Sequence, residues 1–276
     1  MRHAPPSPVH DPEHLPSVTL GGQTWRPDAS VVLPDYAVAA VRAGRQPAER
    51  GLRLTEANRL LEPGHLPMEN GYARLDDGML HVAVLTPMPG VTGDMLDWWF
   101  AWHGEDQARY VLWHPKDHVW AAWRKPVVWS QRWREVYVSN VSDVDEFIGS
   151  FLQRLSIDFQ PPERYVDASR FATTRVETAV CARTVLRERG LAAGHVVHLV
   201  RSTDAGIEMR SRFWLGDLDA SSWGFVGRAL QPLLDTGALR RRAVPDHVGR
   251  DLLIHCAEEM LHLAGILPEL FSRFAR

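Results

Sequence analysis

The stretch from His247 to Leu267 constrains this chain more than any other. Val248, Leu252, His255, Glu259, His262 and Ile266 recur at spacings of three and four, so on a helix they share one face. An apolar stripe of that length must be buried against a second layer. Burying imidazoles and a carboxylate within it is costly unless they are partnered. His255 and Glu259, one turn apart, can converge on one cation, because imidazole nitrogen and carboxylate oxygen both bind zinc at about 2 Å. The other readings are a solvated i,i+4 pair or a satisfied core histidine, and the metal reading needs partners from elsewhere in the chain.

Upstream, short runs rich in β-branched and aromatic residues predict strands. They are the segment opening His81-Val-Ala-Val-Leu-Thr, then Arg109 to Trp113, His118 to Trp123, Glu135 to Val141, Val196 to Ser202 and Ile207 to Leu215. Thr92 is placed to cap a helix through Met95, Leu96, Trp99 and Trp102 that Gly104 ends. Further helices are predicted at Asp143 to Leu155, Ser222 to Leu234 and His247 to Leu267. The tip Asp204-Ala-Gly206 is a hairpin signal, which favours antiparallel pairing. The predicted class is therefore α+β, a curved antiparallel sheet closed by a long C-terminal helix. Residues 1–78 read as a small, partly helical N-terminal region, amphipathic from Val38 to Leu61 with breaks near Gly44 and Gly51, and 79–276 as the main domain.

Composition narrows the partners. A net charge of −3 with one short basic run, Arg240-Arg241-Arg242, gives no footprint for nucleic acid. Met1 to Pro16 lacks the apolar core of a signal peptide, and no stretch approaches the roughly 18 apolar residues of a membrane helix. A cytoplasmic protein with no membrane partner is the expectation. The cysteines, Cys181 and Cys256, form no CxxC pair, so any metal must be held by His and carboxylate. Eight of the 11 tryptophans fall between Trp98 and Trp133, which reads equally as a rigid core or as an aromatic-lined pocket.

Two segments offer partners for His255 and Glu259: Trp113-His114-Pro115-Lys116-Asp117-His118, and Asp143-Val-Asp-Glu146. Asp143 and Asp145 suit the first turn of a helix, whereas Glu146 beside Phe147 and Ile148 turns inward and is the better ligand candidate. His198 is centred in Val196-Val197-His198-Leu199-Val200, on the strand face opposite Val197 and Leu199. It is either an edge-solvated histidine or a pocket acid and base.

Several stretches together resemble the 2,4-diacetylphloroglucinol hydrolase and phloretin hydrolase family, over roughly residues 50 to 265. They are His81-Val-Ala-Val with Met88-Pro-Gly-Val, Asp97-Trp-Trp-Phe-Ala-Trp-His-Gly104, Arg109-Tyr-Val-Leu-Trp-His-Pro-Lys-Asp-His118, Val144-Asp-Glu-Phe-Ile-Gly149, Val197-His-Leu-Val-Arg201, Glu208-Met-Arg-Ser-Arg-Phe-Trp-Leu-Gly216, and His255 to Glu259. The resemblance implies a helix-grip fold like that of pollen allergens, preceded by a small N-terminal domain. It implies one Zn2+ per chain held by two histidines and two glutamates. By motif the metal ligands are His118, Glu146, His255 and Glu259, with His114 the alternative to His118. Tyr110 and His198 match positions near the substrate phenols, and with His114 make the catalytic set. The family tyrosine near Phe213-Trp214 has no counterpart here.

The activity implied is cleavage of the C–C bond between an acyl group and a polyhydroxylated ring, as in 2,4-diacetylphloroglucinol to monoacetylphloroglucinol plus acetate, by a homodimer. Apolar residues of the N-terminal region add slight support for the dimer. Four protein ligands would saturate a tetrahedral zinc, so a fifth site or a labile carboxylate is expected. The main rival is a non-catalytic carrier of a hydrophobic small molecule. A second rival keeps the metal but hydrolyses an ester or a β-diketone.

Overall fold

A computed structural model describes residues 18–20, 23–25, 31–130 and 132–275. The reading of Met1 to Pro16 lies outside them. Strands β1 (Val18–Leu20) and β2 (Gln23–Trp25) pair with each other. α1 (Asp35–Ala43) and two 3-10 turns follow, matching the interrupted amphipathic segment. β3 (Gly71–Arg74), β4 (Leu80–Pro89), α2 (Gly93–Trp102), α3 (Gln107–Trp113), β5 (His118–Trp123) and α4 (Trp133–Tyr137) come next. The chain continues with β6 (Val141–Ile148), β7 (Phe151–Gln160), β8 (Val176–Leu186), β9 (Leu191–Thr203), β10 (Gly206–Asp219), α5 (Phe225–Leu234), α6 (Gly237–Ala243) and α7 (Asp246–Phe274).

Eight strands form one antiparallel sheet in the order β3-β4-β10-β9-β8-β7-β6-β5. α7 lies across its front and buries Leu253, Cys256, Met260, Leu263, Leu267 and Leu270 in the main core. This is the α+β arrangement expected from the strand pattern and the terminal stripe, and the helix-grip fold that the family resemblance implies. A boundary at residue 78 falls in the β3–β4 turn, so β3 on its near side is part of the same sheet. Among the described residues no helix is long and apolar enough to cross a membrane.

The tryptophan run divides between the two expected roles. Trp98 stacks on Trp102 with centroids 4.8 Å apart and meets Phe271 of α7 edge-on at 5.4 Å, so α2 is riveted to α7 by aromatic packing. Trp113 instead lines the cavity described below.

Three predicted elements are corrected. Arg109 to Trp113, expected as a strand, is the body of α3, because the Asp106 side chain accepts from Ala108 N and caps a helix there. Glu135 to Val141, also expected as a strand, is α4 followed by a turn. Asp143 to Leu155, expected as a helix, is the β6–β7 hairpin. Gly149, with φ 63°, turns the chain there, a backbone conformation that glycine adopts without strain. A Cβ at Gly149 would come 2.6 Å from Asp251 Oδ2 on α7, so the hairpin tip touches the helix.

The back of the sheet is covered in part by residues 46–70. Trp214 Nε1 donates to Leu52 O at 2.7 Å and Arg210 Nη1 to Leu60 O at 2.8 Å. Glu69 receives both Arg210 and Arg212, two fully buried guanidiniums on β10. Burial works against it, but Arg212 and Arg210 hold the Glu69 carboxyl down at about 2.

Candidate active site

Three elements bring the candidate residues together. α3 and the tight turn after it deliver Tyr110, His114, Asp117 and His118, with His118 N donating to His114 O at 2.9 Å. Strand pairing sets His118 opposite Glu146. The two-residue period of β6 then points Ser142, Val144, Glu146 and Ile148 into one cavity. Glu146 thus reaches the site from a strand, not from the start of a helix. His255 and Glu259 face it from α7.

His118 Nδ1 lies 2.9 Å from the Tyr110 carbonyl, which places the proton on Nδ1 and leaves a lone pair on Nε2. That Nε2 is buried without a hydrogen-bond partner. Its neighbours are carboxylate oxygens, Glu259 Oε2 at 3.4 Å and Glu146 Oε2 at 3.8 Å. His255 repeats the pattern, with Nδ1 3.3 Å from Asp117 Oδ2 and Nε2 3.8 Å from Glu259 Oε2. A carboxylate behind a histidine is the usual outer support of a metal-binding imidazole.

The local charge calls for a cation. Asp117, Glu146, Glu258 and Glu259 surround His114, His118 and His255, with Lys116 Nζ resting on Glu258 at 2.7 Å. Burial works to strip His255 of its proton, yet Asp117, Glu259 and Glu146 hold its pKa up to about 9. Burial pushes Glu259 up to about 7 against the pull of His255. It also lowers His118 to about 4, although Glu146 opposes this, so that imidazole is neutral and available as a ligand at pH 7.

Ring nitrogens of His114, His118 and His255 lie within 4.8 Å of one another, so the cluster can hold a metal ion in more than one way. His114 nevertheless stands apart from the cavity wall. It is fully buried behind His255, centroids 4.9 Å apart, 3.5 Å from Asp117 and 3.6 Å from Glu258. His114 meets the cluster through His255 and Asp117, whereas Tyr110 and His198 line the cavity itself. Glu146 and Glu259 approach His118, not His114, which favours His118 in the ligand set.

Tyr110 lines the cavity, and its ring stacks on His118 at 4.0 Å. Its hydroxyl donates to Glu146 Oε2 in a short hydrogen bond, so it is already engaged. Burial, with Glu146 beside it, pushes its pKa well above the ordinary phenol value. His198 faces the cavity from β9 with Nδ1 2.8 Å from Ser211 Oγ. Burial lowers it to about 3, so the ring is neutral. His262, in the same helical stripe, stays out of the cluster and anchors the Trp113 carbonyl through Nδ1 at 2.8 Å.

Two residues were missed from sequence. Asp117 sits between His114 and His118 in the quoted motif, and its signal was a carboxylate flanked by two potential ligands. His103 lines the cavity beside Tyr110, centroids 6.1 Å apart. Its own motif ends Trp-His-Gly, where only Gly104 was given a role, as the end of a helix.

Residues 52–272 match the family model described as DAPG hydrolase PhiG domain. The chain belongs to the DAPG hydrolase family. A 2,4-diacetylphloroglucinol hydrolase of Pseudomonas sp is 30% identical over 255 residues, 88% of this chain and 84% of that one. The phloretin hydrolase of Eubacterium ramulus is 30% identical over 248 residues, 87% and 85% of the two chains. Tyr110, His114, His118, Glu146, His198, His255 and Glu259 all lie inside the DAPG hydrolase match. Among solved structures, Ara h 8.0201 aligns over 69% of this chain and 98% of its own, with TM-score 0.40 and 11% identity. The Zhui aromatase/cyclase of a Streptomyces aligns over 71% and 98%, with TM-score 0.35 and 14% identity.

Proposed function

We propose that this member of the DAPG hydrolase family is a zinc-dependent hydrolase that cleaves the bond between an acyl carbon and a polyhydroxylated aromatic ring. The observation that carries the reading is the unpartnered, buried His118 Nε2 with Glu146 and Glu259 oxygens beside it and His255 opposite. His118, Glu146, His255 and Glu259 would hold the ion. When bound, zinc supplies Lewis acidity, which lowers the pKa of water toward 7 and polarises a carbonyl.

The chain's own residues do the rest. Asp117 fixes the His255 ring and the Tyr110 carbonyl fixes His118, so both present Nε2 to the cluster. Tyr110 holds Glu146 in place. His198 can donate from Nδ1 to Ser211 Oγ, leaving an Nε2 lone pair for a phenolic O–H. In this role it takes the phenol proton and returns it to the ring carbon that bears the acyl group, a task suited to neutral imidazole. The ring is then a cyclic enone, vinylogous to a β-diketone. Water adds its oxygen to the acyl carbon, the C–C bond breaks with its electron pair taken up by the ring as a phenolate, and the proton given up by the water passes to that phenolate. The products are a carboxylic acid and the deacylated phenol.

A carrier reading draws on the size of the cavity, about 760 Å³. Elemental analysis and product analysis separate the two. About one zinc per chain, with acid released from an acylphloroglucinol, is expected of the hydrolase; a folded protein with no zinc and no turnover leaves the carrier. In His198→Ala, metal is retained and turnover falls at least about 100-fold, and near-normal turnover would remove His198 from the mechanism. The reading extends to a homodimer in the cytoplasm, and exposed Phe225, Val226 and Leu233 on α5 supply apolar surface for association.

A further inference from the structure

The cavity is far longer than the cluster at its inner end. Along α7 its wall runs from Glu259 and His255 through Leu252 and Val248 to His247. His255 to His247 is eight residues, about 12 Å at the α-helical rise. The opposite wall runs outward from His198 along β9 and from Phe213 along β10, to a ring formed by Leu186, Leu191 and Leu218. The whole volume, about 760 Å³, lies in the range filled by drug-sized ligands.

Polarity is distributed unevenly along this length. Tyr110, His198, His103 and the cluster itself are at the inner end, where ring hydroxyls would find partners. Beyond them the wall includes Leu155, Ile157, Val196, Leu215, Val248 and Leu252, with the Thr184 hydroxyl on β8 among them. Gln153 and Arg154 on β7, Glu188 and Arg189 in the β8–β9 turn, and His247 and Asp251 at the start of α7 add polar groups to the lining. A polyphenol ring placed in this stretch would bury unpaired hydroxyls. An alkyl or arylalkyl group would lose only contact with water.

We propose that the substrate of this chain carries an extended apolar substituent, which lies in the outer channel while the acyl carbonyl and phenols occupy the inner end. The assignment rests on the hydrolase reading and adds a substrate class to it. Tetrahedral carbons joined by bonds near 1.5 Å advance about 1.3 Å each, so the channel length corresponds to about nine carbons. A long acyl chain and a long ring alkyl group present the same chemistry, and the test includes both.

The experiment measures kcat/KM of the zinc-loaded protein for phloroglucinols acylated with two to eight carbons, and for acetylphloroglucinol bearing a ring hexyl group. Binding of non-hydrolysable ethyl- and octylphloroglucinol is followed in parallel by tryptophan fluorescence, Trp113 being on the cavity wall. Each fully buried methylene is worth about fourfold and the eight-carbon substrate adds six, so it is expected to exceed the two-carbon one by about 100-fold if half of that is realised and by up to about 4,000-fold if all six are buried. In Thr184→Phe and in Ala193→Phe, two separate ways of filling the channel, that ratio should collapse below about 10. Improvement confined to the ring-hexyl arm would assign the channel to the ring substituent. Equal turnover of all lengths, or a ratio unmoved in both folded variants, overturns the proposal and leaves the hydrolase intact. Tight octyl binding with no cleavage of any substrate overturns the hydrolase and keeps the channel.

Discussion

Behind the sheet, Glu69 lies between Arg210 and Arg212, and both of its oxygens are engaged by guanidinium or backbone N–H donors. In front of the sheet, four carboxylates stand around three histidines, and His118 Nε2 and both His114 nitrogens have no hydrogen-bond partner, only carboxylate oxygens 3.4 Å or more away. Each group is buried, so desolvation is charged to both. The back cluster sets two cations on one anion, Arg212 Nε alone of its guanidinium nitrogens lacking a hydrogen-bond partner, and fastens residues 46–70 to β10. The front cluster has an excess of negative charge and lone pairs converging on one place. Burial, even with one N–H left open, does not mark a functional site; buried imidazole lone pairs converging with an excess of carboxylates do.

The sharpest way to break this comparison is Glu259→Ala. Zinc content is expected to drop from about one per chain to a small fraction, and acylphloroglucinol cleavage by about 1,000-fold, with circular dichroism unchanged. Retention of full zinc would place the ion elsewhere in the cluster. Next is Glu69→Gln, which leaves two buried guanidiniums short of their anion and should lower stability by about 3–5 kcal/mol in urea unfolding, with zinc per folded chain unchanged. Because the folded carboxyl is held near 2 against an ordinary 4.5, its contribution is full above pH 4.5 and is lost as pH falls toward 2. The variant should therefore flatten that part of the acid unfolding limb. The smallest effect is expected for Asp117→Asn, a 10- to 100-fold loss of zinc affinity by chelator competition. An unchanged affinity would show that Asp117 merely fills space.

How much of this was legible in the sequence depended on how local each signal was. The α7 stripe, the Thr92 cap, which accepts from Met95 N at 3.3 Å, and the β9–β10 hairpin are set by neighbours a few residues apart. Glu146 was singled out correctly as the inward carboxylate but on the wrong element. Asp143 and Asp145 imitate the acidic first turn of a helix, and the Gly149-Ser150 turn that splits the segment was passed over. Tyr110 and Trp113 read as strand residues because aromatic content outweighed Asp106, the residue that caps α3. The fastener behind the sheet was invisible because Glu69 and Arg210 are 141 residues apart. What could be seen was Arg210 and Arg212 alternating with Met209, Ser211 and Phe213, a strand whose polar face needed an acidic cover.

The contact between Gly149 and Asp251 gives the site a calibration point. Glu146 belongs to the hairpin, His255 and Glu259 to the helix, and the two elements meet at a turn where one added carbon would have to displace the Asp251 carboxylate. The gap between the two halves of the cluster is thus gauged as a calliper is by its stop, three residues from one jaw and four from the other. Tolerance for error in that gap is spent at a glycine that touches neither ion nor substrate, so pressure to preserve the donor set extends to a residue with no chemistry of its own.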